Sequence, residues 1–174
     1  MELKLELAVE LNTKCLFSLV THWMPLSKWP ETLSLQGKRA CIMPLRTLHL
    51  GNPGLSGAHL VLVPTAVAAS EPFADVYELK MRAAAVTHGV YIAMANRSGR
   101  EDPLQFLGRS MIIDPTGNVV ASLADESNKT LTVELSQEKV IKARQLFPFL
   151  RDRRPETYGA VARIPDGDDN TSAR

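Results

Sequence analysis

Cysteine is scarce in this chain: only Cys15 and Cys41 occur among its 174 residues. Two irregularly placed thiols cannot build a disulfide framework, and the scarcity predicts a reducing, cytoplasmic setting. An excess of either charge is missing too, with 20 Lys and Arg against 19 Asp and Glu, for a formal charge of +1. Such a balance offers no field to gather nucleic acid or an anionic membrane. Long apolar runs are absent. The longest early one, residues 15–20, is far short of a membrane span, and Glu2, Glu6 and Glu10 ahead of it argue against a signal peptide. His22, His49, His59 and His88 fall in no ligand spacing, so no metal is expected, and no cofactor motif is present either. His59 and His88 read instead as core-edge or helix-end residues. Gly51, Gly54 and Gly57 lack the Lys-Ser/Thr of a phosphate loop and read as a flexible connection. Ser98, Ser110 and Ser136 stand in turn or cap contexts, none of them within Gly-x-Ser-x-Gly.

The 45% of hydrophobic residues suffices for one core of ordinary size in a chain of this length. Residues 2–11 alternate, with Leu3, Leu5, Leu7, Val9 and Leu11 on one face, which is a strand pattern. From residue 13 to 57, Trp23, Pro25, Trp29, Pro30, Pro44, Gly51, Pro53 and Gly54 interrupt any period. One short apolar run, residues 40–43, predicts a strand ending at Pro44. Next, Val76, Leu79, Ala83 and Val86 or Thr87 recur at helical spacing, predicting a helix that buries this stripe. Ser70 before Glu71 and Pro72 predicts its start, and Gly89 its stop. Residues 90–95 are apolar on both faces, so the predicted strand is covered on both sides.

Further on, residues 110–114 and 118–121 flank Pro115-Thr116-Gly117, a hairpin signal, because proline presets the first turn residue and glycine supplies positive φ. The charged loop of residues 100–103 should be exposed. Residues 130–135 alternate as a strand, and Ser136 caps a helix whose Val140, Ala143 and Leu146 face the core before Pro148. Arg144, Arg151, Arg153 and Arg154, interleaved with Asp152 and Glu156, predict a solvated or subunit-facing segment. The expected fold is α/β, with inner strands near residues 60–63, 90–95, 111–114, 119–121 and 130–135, covered on one side by the helix of residues 70–88.

Several consecutive motifs carry a resemblance: Gly57-Ala58 opening an apolar strand that closes on Pro64-Thr65-Ala66; MRAAAVTHG and VYIAMAN at residues 81–96; Arg97-Ser98-Gly99; FLGRS at 106–110; IIDPTGNVVA at 112–121; and the segment of residues 149–158. In this order and spacing, residues 57–158 resemble the C-terminal half of the carbon-nitrogen hydrolase (nitrilase and amidase) superfamily. The resemblance implies an incomplete αββα sandwich, about half of one. It also implies a division into a divergent or truncated segment at 1–56, a hydrolase-like domain at 57–158 and a flexible tail at 159–174.

In such enzymes a cysteine thiolate attacks the carbon, a glutamate takes the thiol proton and a lysine offsets the oxyanion. The resemblance implies hydrolysis of small amides, nitriles or carbamoyl compounds. Counting back sixteen residues from Gly57 places the nucleophile at Cys41. Gly37-Lys38-Arg39, read as the start of the same strand, places it near Leu45 instead. Lys14 echoes the family's lysine motif, and the resemblance puts the glutamate upstream of this sequence. From its own neighbours Cys41 reads instead as a small buried hydrophobe with an unactivated thiol. The alternative function is a catalytically silent relative that keeps the fold and the subunit surface. Residues 149–158 are a subunit contact by resemblance, so a homo-oligomer is expected.

Overall fold

The computed structural model describes residues 33–35, 38–42, 53–69, 76–123 and 131–160. The expected strand at residues 2–11, Lys14 and the expected helix start at Ser70 lie outside these. Eight strands are described: β1 (Leu33–Leu35), β2 (Lys38–Ile42), β3 (Leu60–Thr65), β4 (Tyr91–Asn96), β5 (Ser98–Glu101), β6 (Leu104–Leu107), β7 (Met111–Ile113) and β8 (Val119–Ser122). Two helices join them, α1 (Val76–His88) and α2 (Gln137–Leu146), with a 3-10 turn at Pro155–Ala160. Six strands form one sheet in the order β1-β2-β3-β4-β7-β8, and β5 and β6 form a separate hairpin. In the larger sheet β2, β3 and β4 run parallel, while β1, β7 and β8 are antiparallel to their neighbours. One sheet thus includes strands on both sides of residue 57. Among the described residues no helix is long and apolar enough to cross a membrane.

The two-sided burial expected of residues 90–95 is present. Ile92 and Met94 point to one core, shared with Val61, Val63, Met111, Ile113 and α1. Tyr91 and Ala93 point to the other, shared with Leu60, Ile112 and Val140 of α2. Alternation along each strand therefore feeds two layers from one sheet.

The buried stripe of α1 differs from the expected one. Met81, Ala84, Ala85 and His88 are buried, whereas Val76 is 40% and Leu79 65% exposed. Both stripes satisfy helical spacing, so periodicity alone cannot choose between them. The one used sets a long flexible methionine beside two alanines, which lets the helix lie close to the sheet. In α2, Ser136 caps as expected, its hydroxyl accepting from the Lys139 amide. Val140 and Ala143 are buried, but Leu146 is 66% exposed. At about 100° per residue, Leu146 lies about 120° around the helix from Val140, off the narrow contact stripe.

Residues 131–135 also correct the expectation: beyond a single bridge at Leu131 they form no strand and belong to neither sheet. Leu131, Val133 and Leu135 still turn alternately onto the Tyr91 and Val140 core. Alternation is a property of any extended chain lying on a core; a strand requires a backbone partner as well. The glycine-rich connection is likewise an ordered turn at residues 53–57, closed by hydrogen bonds from the Gly57 amide to the Gly54 carbonyl and from the Ala58 amide to the Pro53 carbonyl.

Gly89 and Gly117 both have positive φ, +57° and +85°. A Cβ would come within 2.5 Å of Arg144 Cγ at Gly89 and within 2.8 Å of Val86 Cγ2 at Gly117. Strain and crowding act together, so Gly89→Ala and Gly117→Ala are each expected to lose on the order of 1–2 kcal/mol. Thermal melts of both variants matching the parent would show that these turns accept a side chain.

Candidate functional site

The carboxyl ends of parallel strands are where open α/β sheets bind ligands, because the chain there leaves the sheet and can shape a crevice. At this end Asn96 closes the apolar run of β4 and is 5% exposed. Its Oδ1 accepts from the Val67 amide at 2.9 Å, and its Nδ2 donates to the Gly108 carbonyl at 2.5 Å. Its backbone amide donates to Ser110 Oγ at 3.0 Å, and the Ser110 hydroxyl donates to the Asn96 carbonyl at 3.2 Å. One buried amide side chain thereby joins the segment after β3 to the segment before β7. In the sequence Asn96 only ends the VYIAMAN motif, and Ser110 reads as a turn or cap residue. The available signal was a polar residue terminating a run apolar on both faces.

The β5-β6 hairpin docks on the same end. The Ala69 amide donates to the Gln105 carbonyl at 2.7 Å and the Leu107 amide to the Val67 carbonyl at 2.9 Å. Its tip, residues 100–104, is exposed, as the charged sequence predicted. The Arg97 guanidinium lies 4.2 Å from the Phe106 ring centroid and is ion-paired with Glu101. Stacking and charge together hold this cation in one place. A rim of fixed loops carrying held cations can orient a small polar substrate; bond cleavage still requires a nucleophile.

Cys41 does not lie on this rim. It pairs in register with Val61, is 4% exposed, and belongs to the apolar core under α1 with Val61, Val63 and Met81. Burial pushes its thiol pKa up to about 11. A catalytic cysteine needs the opposite, a thiolate favoured by nearby positive charge. Leu45, the other position given by counting, lies outside the described residues, as do Lys14 and Cys15. No group of three or more potential metal ligands occurs among the described residues.

Arg144 is not part of a solvated basic segment. It is half-buried, donating from Nε to the Gly89 carbonyl at 3.1 Å and from Nη2 to the Ala58 carbonyl, and burial lowers its pKa. It ties α2 to the entrances of β3 and β4. Arg151 and Arg154 are exposed and paired with Asp152 and Glu156, as expected of a solvated stretch.

The carbon-nitrogen hydrolase family model matches residues 54–145, more than half of the chain. The chain is 34% identical to a probable nitrilase of Schizosaccharomyces pombe over 106 residues, 60% of this chain and 38% of that protein. It is 31% identical over 118 residues to an N-carbamoylputrescine amidase of Arabidopsis thaliana, covering 60% of this chain and 39% of the relative. In fold it is similar to a carbon-nitrogen hydrolase from Helicobacter pylori, with a TM-score of 0.70 at 23% identity, over 80% of this chain and 54% of that one. The mixed α/β architecture is accordingly part of an αββα fold. The chain spans about two fifths of the length of these curated relatives. With its motifs, strand order and family match in agreement, this chain belongs to the carbon-nitrogen hydrolase family.

Proposed function

We propose that the chain serves the hydrolysis of non-peptide carbon-nitrogen bonds in small amides, nitriles or carbamoyl compounds. The observation that carries this reading is the family match over residues 54–145, and the names of the nitrilase and amidase relatives support the substrate class. The chemistry would be attack by a thiolate on an amide or carbamoyl carbon, with loss of an amine or ammonia and hydrolysis of the resulting thioester or thiocarbamate; a nitrile would first give a thioimidate, to which one water adds before ammonia leaves and a second water hydrolyses the thioester. Release of ammonia or amine from a panel of these compounds tests the proposal. A purified chain that turns over no member of the panel would overturn it.

A second reading, a catalytically silent relative, is favoured by the core position of Cys41. In either case Cys41 acts as a packing residue. Labelling with a neutral alkylating agent is expected to rise only above pH 9, following a thiol at about 11 rather than its ordinary 9.0. An inflection near neutral pH would instead mark an activated thiolate. If the chain is active, Cys41→Ala should keep turnover within about threefold, whereas loss of a nucleophile costs several orders of magnitude.

Self-association belongs to the same proposal. Ile141, Leu146, Phe149 and Tyr158 are 48%, 66%, 50% and 44% exposed. These exposed apolar side chains of α2 and the segment after it support a contact between copies. Sedimentation at micromolar concentration should give a dimer or larger species, and a sharp monomer would sink the idea.

A further inference from the structure

Helix α1 carries two apolar stripes. The buried one, Met81, Ala84, Ala85 and His88, lies against the sheet. At about 100° per residue, Val76, Leu79, Ala83 and Val86 fall on the opposite side of the same helix. Val76 and Leu79 are 40% and 65% exposed, Ala83 is exposed and Val86 is half-buried. A helix side turned only to water is ordinarily polar. Steps of three, four and three residues make instead the seam along which one helix packs against another.

The charges beside the seam select the partner helix. On one flank stand Glu78 and Arg82, ion-paired at 3.6 Å, with Arg82 Nε also donating to the Gly117 carbonyl at 2.9 Å. On the other flank Lys80 leans over its own Tyr77 ring, 6.0 Å from the centroid, and so away from the seam. An antiparallel copy of α1, related by a twofold axis beside Leu79, sets Leu79 against its own mate and Val76 against Ala83 of the other copy. The short side chain of Ala83 lets the two helices approach closely. Such an axis brings like flank to like flank, so Glu78 of each copy meets Arg82 of the other and the charges match.

We propose that the Val76-Leu79-Ala83 face of α1 is an interaction surface for α1 of a second copy of this chain, packed antiparallel. This rests on the self-association reading above and adds a second contact to it. The two contacts are separate, because α1 and α2 lie on opposite faces of the sheet.

The test is disulfide trapping in the full chain. Leu79→Cys and Thr87→Cys each replace an exposed residue of α1, both with Cys15→Ser, Cys41 being buried. Across the proposed axis the two copies of position 79 come within about 4–6 Å between Cα atoms, inside disulfide range, whereas the two copies of position 87 stand roughly 20 Å apart. Mild oxidation at micromolar concentration should link Leu79→Cys into a covalent dimer about tenfold faster than Thr87→Cys, or more. Leu79→Lys should sediment as a smaller species than the parent with the same far-ultraviolet circular dichroism, because position 79 takes no part in the core.

If Leu79→Cys links no faster than Thr87→Cys, or Leu79→Lys sediments with the parent, the assignment to α1 fails and the α2 contact stands. If the parent sediments as a sharp monomer, both contacts fail.

Discussion

Asn96→Ala is expected to destabilise the fold by about 2–4 kcal/mol, because truncation strands a backbone donor at Val67 and a backbone acceptor at Gly108, each costing about 1–3 kcal/mol when buried unpaired. Val67 is itself 5% exposed, so water cannot readily replace the lost oxygen at its amide. Asn96→Asp gives a sharper contrast. It keeps an acceptor for Val67 but turns a carboxylate oxygen toward the Gly108 carbonyl, where an N-H is required. Urea melts of both variants check the prediction. An Asn96→Ala midpoint equivalent to less than about 0.5 kcal/mol would mean that the loops rearrange without this side chain.

Asp114→Ala should lose about 2–3 kcal/mol, since one carboxylate oxygen, Oδ1, organises the whole β7-β8 turn. It accepts from the Thr116 amide at 2.9 Å, the Thr116 hydroxyl at 2.7 Å and the Asn118 amide at 3.0 Å. The nearby Lys139 ammonium, at 3.9 Å and largely exposed, adds little.

Burial pushes the Asp114 pKa up, but the donors of Thr116 and Asn118 outweigh it and leave the carboxyl below its ordinary 3.8. A lowered folded pKa stabilises the native state above the unfolded value and loses that contribution as pH falls through the folded one. The parent should therefore lose stability below pH 3.8, and Asp114→Ala should show a flatter acid limb there. Parallel pH profiles of the two proteins would show the turn to be held by something else.

The turn, the stop of α1 at Gly89 and the cap of α2 were legible because they depend on neighbours in the sequence. Proline at position 115 and glycine at 117 constrain their own dihedrals, and a Ser136 hydroxyl reaches an amide three residues on. The same holds for residues 90–95, whose apolar run announced cover on two sides without saying by what. Asn96 shows the limit. Its polarity was visible, but its partners lie 29 and 12 residues away, and only the folded chain brings them together.

Where two patterns satisfied the same period, the sequence could not decide. In α1 the stripes through Leu79 and through Met81 both fit a helix, and contact with the sheet selected the second. Counting residues brought Cys41 to the family's nucleophile position, yet the side-chain face in a strand changes at every residue, and tertiary pairing turned Cys41 into the core. Arg144 read as surface charge until Gly89 and Ala58 presented their carbonyls to it. Sequence alone determined the family, the hairpin turn, the α2 cap and the strand buried on both faces, because these follow from local dihedrals and motif order. Which helix face is buried, where the thiol lies and which loops Asn96 joins were decided by the tertiary structure, because burial and hydrogen bonding depend on groups distant along the chain.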